Sequence, residues 1–172
     1  MTRLKFIDEA GATLAMTRLY GRARPGERVV DSVPQNYGSS QTMLACLSLG
    51  GVSAPWVIEG AVDGEVFLTW VREVLGPTLR PGDVVVMDNL TAHKVVGVEQ
   101  SISARGARLI YLSPYSPDFN PIEQCWSKIK TFLRKAKART IEVLIEAIKQ
   151  ALATISKADA LGWFAHCGYT VH

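Results

Sequence analysis

Four consecutive apolar residues, Val84, Val85, Val86 and Met87, follow a Pro81-Gly82 turn and stop at Asp88. Successive side chains of a strand face opposite sides, so an unbroken apolar run needs cover on both faces. Such a strand lies inside a sheet with helices on each side, which commits the chain to an α/β layer architecture. Residues 4–9 (LKFIDE) alternate as a strand, with Leu4, Phe6 and Asp8 on one face and Lys5, Ile7 and Glu9 on the other. Residues 42–49 and 55–59 read as strands joined at Gly50-Gly51 into a hairpin, and 108–112 as a further strand. Helical spacing marks 65–75 (Val66, Phe67, Trp70, Val71, Val74), 94–104 and 122–136. A last helix, capped by Thr140, carries Ile141, Leu144, Ile145, Ile148, Leu152 and Ile155. Residues 21–40 crowd Gly, Pro, Ser and Asn and read as an irregular excursion. The predicted order is strand, hairpin, helix, strand, helix, strand, helix, helix. It describes a mixed β-sheet flanked by helices, in one domain over residues 1–172.

Composition narrows the class. Of 172 residues, 48% are hydrophobic and only 22 are Gly or Pro, which is a folding rather than a disordered balance. The longest apolar runs are far too short to span a bilayer, and no apolar signal segment opens the chain, so the expectation is no membrane partner and a cytoplasmic location. Cys46, Cys125 and Cys167 form no CxxC pair, and a zinc site from His93, His166 and Cys167 matches no common ligand spacing; structural roles are expected. The net charge of +3 permits nucleic-acid binding without requiring it.

Three acids stand at element ends. Asp88 closes the apolar run, and sites on such sheets gather at the carboxyl ends of parallel strands. Asp8 ends its strand segment. Glu9 competes with it but points to the opposite face, and Phe6 parity favours Asp8 if Phe6 faces inward. Glu123 opens a helix behind a stiff stretch, "YSPDFNP", with Pro121 suited to the helix start. Each acid alone reads as a loop or cap residue. Together they suggest a hard-cation site, because Mg²⁺ takes oxygen ligands and pairs of such ions serve phosphoryl transfer. Asp118 and Asn120 are expected to order the loop through side-chain to backbone bonds, and Trp126 to be core. From 127 to 139 there are six basic residues and no acid, and at 100° per residue Lys130, Arg134 and Lys137 share the Glu123 face. A basic row beside carboxylates suits a phosphate backbone.

"VVVMDNLTAHK" and "YLSPYSPDFNPIEQCWSKIK" closely resemble the catalytic core of DDE transposases of the mariner superfamily, in the bacterial insertion-sequence branch. Thirty-four residues separate Asp88 from Glu123 (123 − 88 − 1), the spacing of the family's second and third acids, and Asp8 in "FIDEAG" matches the first. The resemblance runs on through "RTIEVLIEAI" and "GWFAHCGY". It implies an RNase H-like fold, two Mg²⁺ or Mn²⁺ ions held by Asp8, Asp88 and Glu123, and cleavage and joining of DNA strands. Asn89, His93 and Asn120 are expected around the acids, and Lys130, Arg134 and Lys137 on DNA. The expected partners are insertion-sequence ends and target DNA, a second copy in a homodimer, and a separately encoded N-terminal recognition part; the expected location is the nucleoid. Ser113 stands where the family often has Pro. Members usually carry an N-terminal helix-turn-helix region, whereas seven residues precede Asp8, so the chain reads as the catalytic part alone. The rivals are a plain RNase H-like nuclease and an idle DNA-binding or assembly protein.

Overall fold

The computed structural model describes residues 3–35, 38–114 and 116–170. Five strands form one sheet: β1 (Arg3–Ala12), β2 (Gln41–Ser48), β3 (Gly51–Glu59), β4 (Asp83–Met87) and β5 (Arg108–Tyr111), in the order β3-β2-β1-β4-β5. β2 runs antiparallel to β1 and β3, while β4 and β5 run parallel to β1 and to each other. This is the mixed sheet expected from the apolar run, and every residue of β4 is buried. Two expected strand boundaries move. β1 continues to Ala12 because its pairing with β2 extends that far, so Asp8 lies inside the strand; what ends beside it is the pairing with β4, at Phe6 and Val86. β3 begins at Gly51, immediately after the turn. A bulge at Ala54 (φ 52°) and Pro55 shifts its register, and Pro is tolerated because β3 is an edge strand. The buried Trp70 Nε1–H donates to the Ala54 carbonyl (3.0 Å) and holds that bulge.

The helices are α1 (Gly64–Trp70), which runs on as a π-helical turn over Val71–Leu75, α2 (Val98–Ser103), α3 (Ile122–Ala136), α4 (Ile141–Ala153) and α5 (Lys157–His166). α2 starts later than its apolar pattern indicates. A short 3₁₀ turn, Thr91–Lys94, comes first, and Gly97 at φ 106° then redirects the chain into the helix. α5 is a helix that apolar periodicity did not reveal. It is launched by a capping box in which Ser156 Oγ accepts from the Asp159 N–H and the Asp159 carboxylate accepts from the Ser156 N–H. Residues 13–40 carry no helix or strand among the described residues.

Strand alternation divides the core in two. Phe6, Met43, Ala45, Leu47, Val84 and Val86 pack against Ile122, Trp126, Ile129 and Leu133 of α3, with Leu144 and Ile148 of α4 and Phe164 of α5. Ile7, Leu44, Cys46, Val85 and Met87 pack on the other face against Phe67, Trp70, Val71 and Leu75, with Val98 and Ile102 of α2. Each large side chain buried this way contributes about 1.5–3 kcal/mol. The first core seats α3, and so seats the helix start that carries Glu123.

Candidate active site

The parallel pairing of β1 with β4 ends at Phe6 opposite Val86. Two residues further along stand Asp8 and Asp88, both on the Phe6 and Val86 side by alternation, which is the α3 face of the sheet. Glu123 is exposed in the first turn of α3. It shares with Asp88 the walls of a cleft of about 370 Å³, along with Asn89, Asn120, Ser113 and Pro114. Asp8 is buried, at 7% exposure. Burial pushes its carboxyl up to about 7 against the pull of the Glu9 backbone N–H, and the negative charges of Glu123, Asp88 and Glu9 add to the rise. The three expected acids therefore occupy one end of one sheet face, and Asp8 feels the charge of the other two. Among the described residues no three His, Cys, Asp or Glu side chains stand close enough to cage an ion as they are.

The Pro-rich loop is ordered differently from expectation. Asp118 makes no side-chain hydrogen bond among the described residues. Backbone turns shape the loop instead: Phe119 N–H donates to Ser116 O (3.2 Å), Asn120 N–H to Pro117 O (2.9 Å) and Glu123 N–H to Asn120 O (3.1 Å). Tyr169, from beyond α5, reaches back to donate its hydroxyl to Phe119 O at 2.8 Å, with its ring against Phe6 (centroids 5.2 Å apart). Tyr115 lies outside the described residues. Asn120, a residue of the cleft wall, is 3% exposed, and its buried Oδ1 has no hydrogen-bond partner among the described residues. A buried acceptor left open in this way costs about 1–3 kcal/mol unless something donates to it or coordinates it.

His93 is fully buried between two carboxylates. Nδ1 lies 2.5 Å from Asp88 Oδ1 and Nε2 lies 3.2 Å from Glu9 Oε2. Burial would lower the imidazole pKa, but the hydrogen bonds and charges of Asp88 and Glu9 overcome it and raise it to about 9. For Asp88, burial pushes upward and is overcome by hydrogen bonds from His93 and from the Leu90 N–H, so its carboxyl is held below the usual range. Both directions describe an ion pair. The sequence presented Glu9 only as a competitor of Asp8; its contact with His93 joins residues 84 positions apart. Its opposite parity was the signal, since it sends Glu9 toward the α1 and α2 side.

Lys130 and Arg134 are half-buried along α3 on the Glu123 side. Lys137 leaves that row. It caps the helix in a left-handed conformation (φ 50°) and pairs with Asp31 from the 13–40 segment. That contact holds the Asp31 carboxyl down at about 2. Trp126 lies in the core at 2% exposure. His166 is exposed on α5, Cys167 is buried against Gln124, and His93 is engaged with Asp88, so the three do not assemble around a zinc ion.

Residues 3–145 match the DDE superfamily endonucleases. Comparison with curated proteins gives no match. Among solved structures, the Mos1 transposase paired-end complex with left transposon end is similar at 14% identity and TM-score 0.74, over 96% of this chain and 51% of that one. The mariner Mos1 paired end complex with Mg gives 14% and 0.73, over 96% and 53%. The Mos1 transposase catalytic domain with Raltegravir and Mg gives 12% and 0.64, over 99% and 86%. The chain thus spans about half the length of the Mos1 chain in the paired-end complexes. At these identities the likeness concerns the fold, which is the RNase H-like mixed sheet and its helices. With the match running from the first described residue of β1 into α4, the chain belongs to the DDE superfamily endonuclease family.

Proposed function

We propose that this chain is the catalytic domain of a transposase of the mariner type, cutting and joining DNA strands during movement of an insertion sequence in a bacterial cell. The observation that carries the reading is the buried, un-neutralised Asp8 beside Asp88 and Glu123 at one edge of a DDE superfamily fold. Asp8, Asp88 and Glu123 are the residues that would hold two Mg²⁺ or Mn²⁺ ions. The donor set fits hard cations, being all oxygen with excess negative charge, and Asn120 Oδ1 adds an open acceptor nearby. Solved Mos1 complexes with Mg and with Mn support the same choice of metal. When bound, such ions activate an attacking oxygen and stabilise the leaving one.

The protein's own part is positioning. Asp8 supplies a carboxylate from a rigid strand interior. Asp88 is anchored through Oδ1 by the Leu90 N–H and His93. Glu123 is set by the Pro-rich turn and its helix start, next to the cleft where a scissile phosphate would lie. Lys130 and Arg134 would steer the phosphate backbone toward the acids, giving DNA contact without sequence preference. The active complex is assigned to a homodimer on the nucleoid.

The test uses supercoiled plasmid and a pre-cut DNA end with Mn²⁺. Nicking and end joining by the wild-type chain, both stopped by chelator, are expected. Asp88→Asn should lower both by on the order of a thousandfold while leaving the fold intact, since several kcal/mol of charge stabilisation is lost at about 1.4 kcal/mol per tenfold. Nicking without joining would reduce the reading to a nuclease. No metal-dependent strand chemistry at all would reject the enzyme.

A further inference from the structure

β1 sends two successive acids to opposite faces of the sheet, and both end at the same place. Asp8 lies on the α3 side, beside Asp88. Glu9, on the Ile7 side, meets His93. We infer that Glu9 and His93 form a positioning relay, Glu9 Oε2 to His93 Nε2 and His93 Nδ1 to Asp88 Oδ1, that sets the carboxylate plane of Asp88 for its cation. The inference rests on the reading of Asp88 as a metal ligand and deepens it.

The geometry closes around one oxygen. Asp88 Oδ1 accepts from the Leu90 N–H (3.1 Å) and from His93 Nδ1 (2.5 Å), while the His93 backbone N–H donates to Leu90 O (3.1 Å). Asp88, Leu90 and His93 therefore form a ring of contacts, and both donors to the Asp88 carboxylate among the described residues, one backbone and one side-chain, fall on Oδ1. A carboxylate is planar, so two directed donors on Oδ1 fix where Oδ2 points. His93 could relax this ring by flipping, which would turn ring carbons toward Asp88. Two contacts oppose the flip. Glu9 holds Nε2 at 3.2 Å from the far side, and Phe67 stacks on the imidazole, centroids 4.3 Å apart and 29° between planes. The residue is fully buried, away from bulk solvent. Partners of this kind behind a metal ligand typically change metal affinity or activity by about 10–100-fold when lost. Glu9 is then neither an idle strand residue nor a rival ligand. It reaches the site through the sheet, by way of the histidine.

The test is Mn²⁺ affinity of the chain, read from the electron-spin resonance of free Mn²⁺, with thermal melting alongside. Amide side chains separate the two ring nitrogens. His93→Asn keeps a donor near the Nδ1 position, facing Asp88; His93→Gln keeps one near Nε2, facing Glu9. The relay predicts Mn²⁺ binding about tenfold weaker for Glu9→Gln, and about 100-fold weaker for His93→Gln but closer to wild type for His93→Asn. It also predicts that Glu9→Gln adds nothing in the His93→Asn background, because the asparagine no longer reaches Glu9 and that link is already cut. If His93 only fills space, both amides weaken binding alike and in step with lost melting temperature, which overturns the relay. If Glu9 is itself a ligand, its effect persists in the His93→Asn background, which also overturns it. Should the His93 variants fail to fold, wild-type Mn²⁺ affinity in Glu9→Gln alone overturns it, since Glu9 is 25% exposed and its amide is readily accommodated. Asp88→Asn is the control: unchanged Mn²⁺ affinity there rejects the metal reading itself, whereas a loss there with none in Glu9→Gln rejects only the relay.

Discussion

Two buried aspartates sit on adjacent strands at opposite ends of the sheet, and the protein treats them in opposite ways. Asp83 opens β4 at 1% exposure. Arg3 Nε lies 3.1 Å from one of its oxygens and Lys5 Nζ 3.7 Å from the other, and its carboxylate accepts from the Arg80 backbone N–H. Asp8, on β1, is nearly as buried, yet it has no basic side chain in ion-pair contact among the described residues, and its charged neighbours are other acids. Leaving a buried carboxylate uncompensated is costly. The same fold neutralises Asp83 with its own side chains and gives Asp8 no basic partner among the described residues; the proposed cation would supply one. That contrast is the physical case for a cation at the Asp8 end and for a purely structural role at the other.

The largest break in the comparison is catalytic. Asp8→Asn should cost on the order of a thousandfold in metal-dependent nicking, whereas Asp83→Asn should leave the rate per folded molecule within about a factor of two; plasmid nicking corrected for folded fraction decides it. Stability should move the other way. Asp83→Asn strands Arg3 and Lys5 and should cost about 3 kcal/mol, the low end for a broken buried pair because Arg3 is half exposed. Asp8→Asn should stabilise the metal-free chain at pH 8 by up to about 4 kcal/mol, since it removes a charge that the fold resists. Urea titration of both variants measures the pair. If both Asp→Asn changes destabilise equally, the contrast is gone.

A subtler consequence is pH dependence. The Asp8 carboxyl is raised from 3.8 to about 7, so between those values the folded chain binds more protons than the unfolded one. Its contribution is therefore fully present below about pH 4 and is lost as pH rises through 7. Metal-free melting temperature should fall across that window on its account, Mn²⁺ should restore more stability at pH 8 than at pH 6, and Asp8→Asn should abolish that difference. Melting curves with and without Mn²⁺ at the two pH values test it.

The smallest effects concern DNA. Lys130→Ala and Arg134→Ala should each flatten the log–log salt dependence of duplex affinity by about one unit. Lys137→Ala should flatten it less, because Asp31 already occupies that ammonium. Equal slopes for all three would return Lys137 to the DNA-facing row.

Much of the fold was legible because its strongest signals were local. The β4 run could only be a strand covered twice, and α3 carries its apolar stripe from Ile122 to Leu133 without a break. α5 escaped because Gly162 and scattered small residues blur its apolar face; only the Ser156 and Asp159 capping pair marked it. The α2 boundary turned on the backbone of Gly97, which a pattern of side chains does not record. At the site, period-2 parity separates Asp8 from Glu9 on paper. What parity cannot supply is the partner on the far side: His93 reaches Glu9 only after β4 lies beside β1 and the Thr91–Lys94 turn folds back. Likewise, Lys137 looks like part of a helical row until the loop from 13 to 40 delivers Asp31 to it.

The most direct measurement is the anomalous scattering of Mn²⁺ in crystals of this chain grown near pH 7.5. A peak within coordination distance of Asp8 and Asp88, with Glu123 turned in to join them, is the predicted result, with Asn120 in the surrounding wall. Asp8 and Asp88 without any bound Mn²⁺ at saturating concentration, or a peak held by other residues alone, would contradict the claim that this edge of the sheet is built to hold a cation.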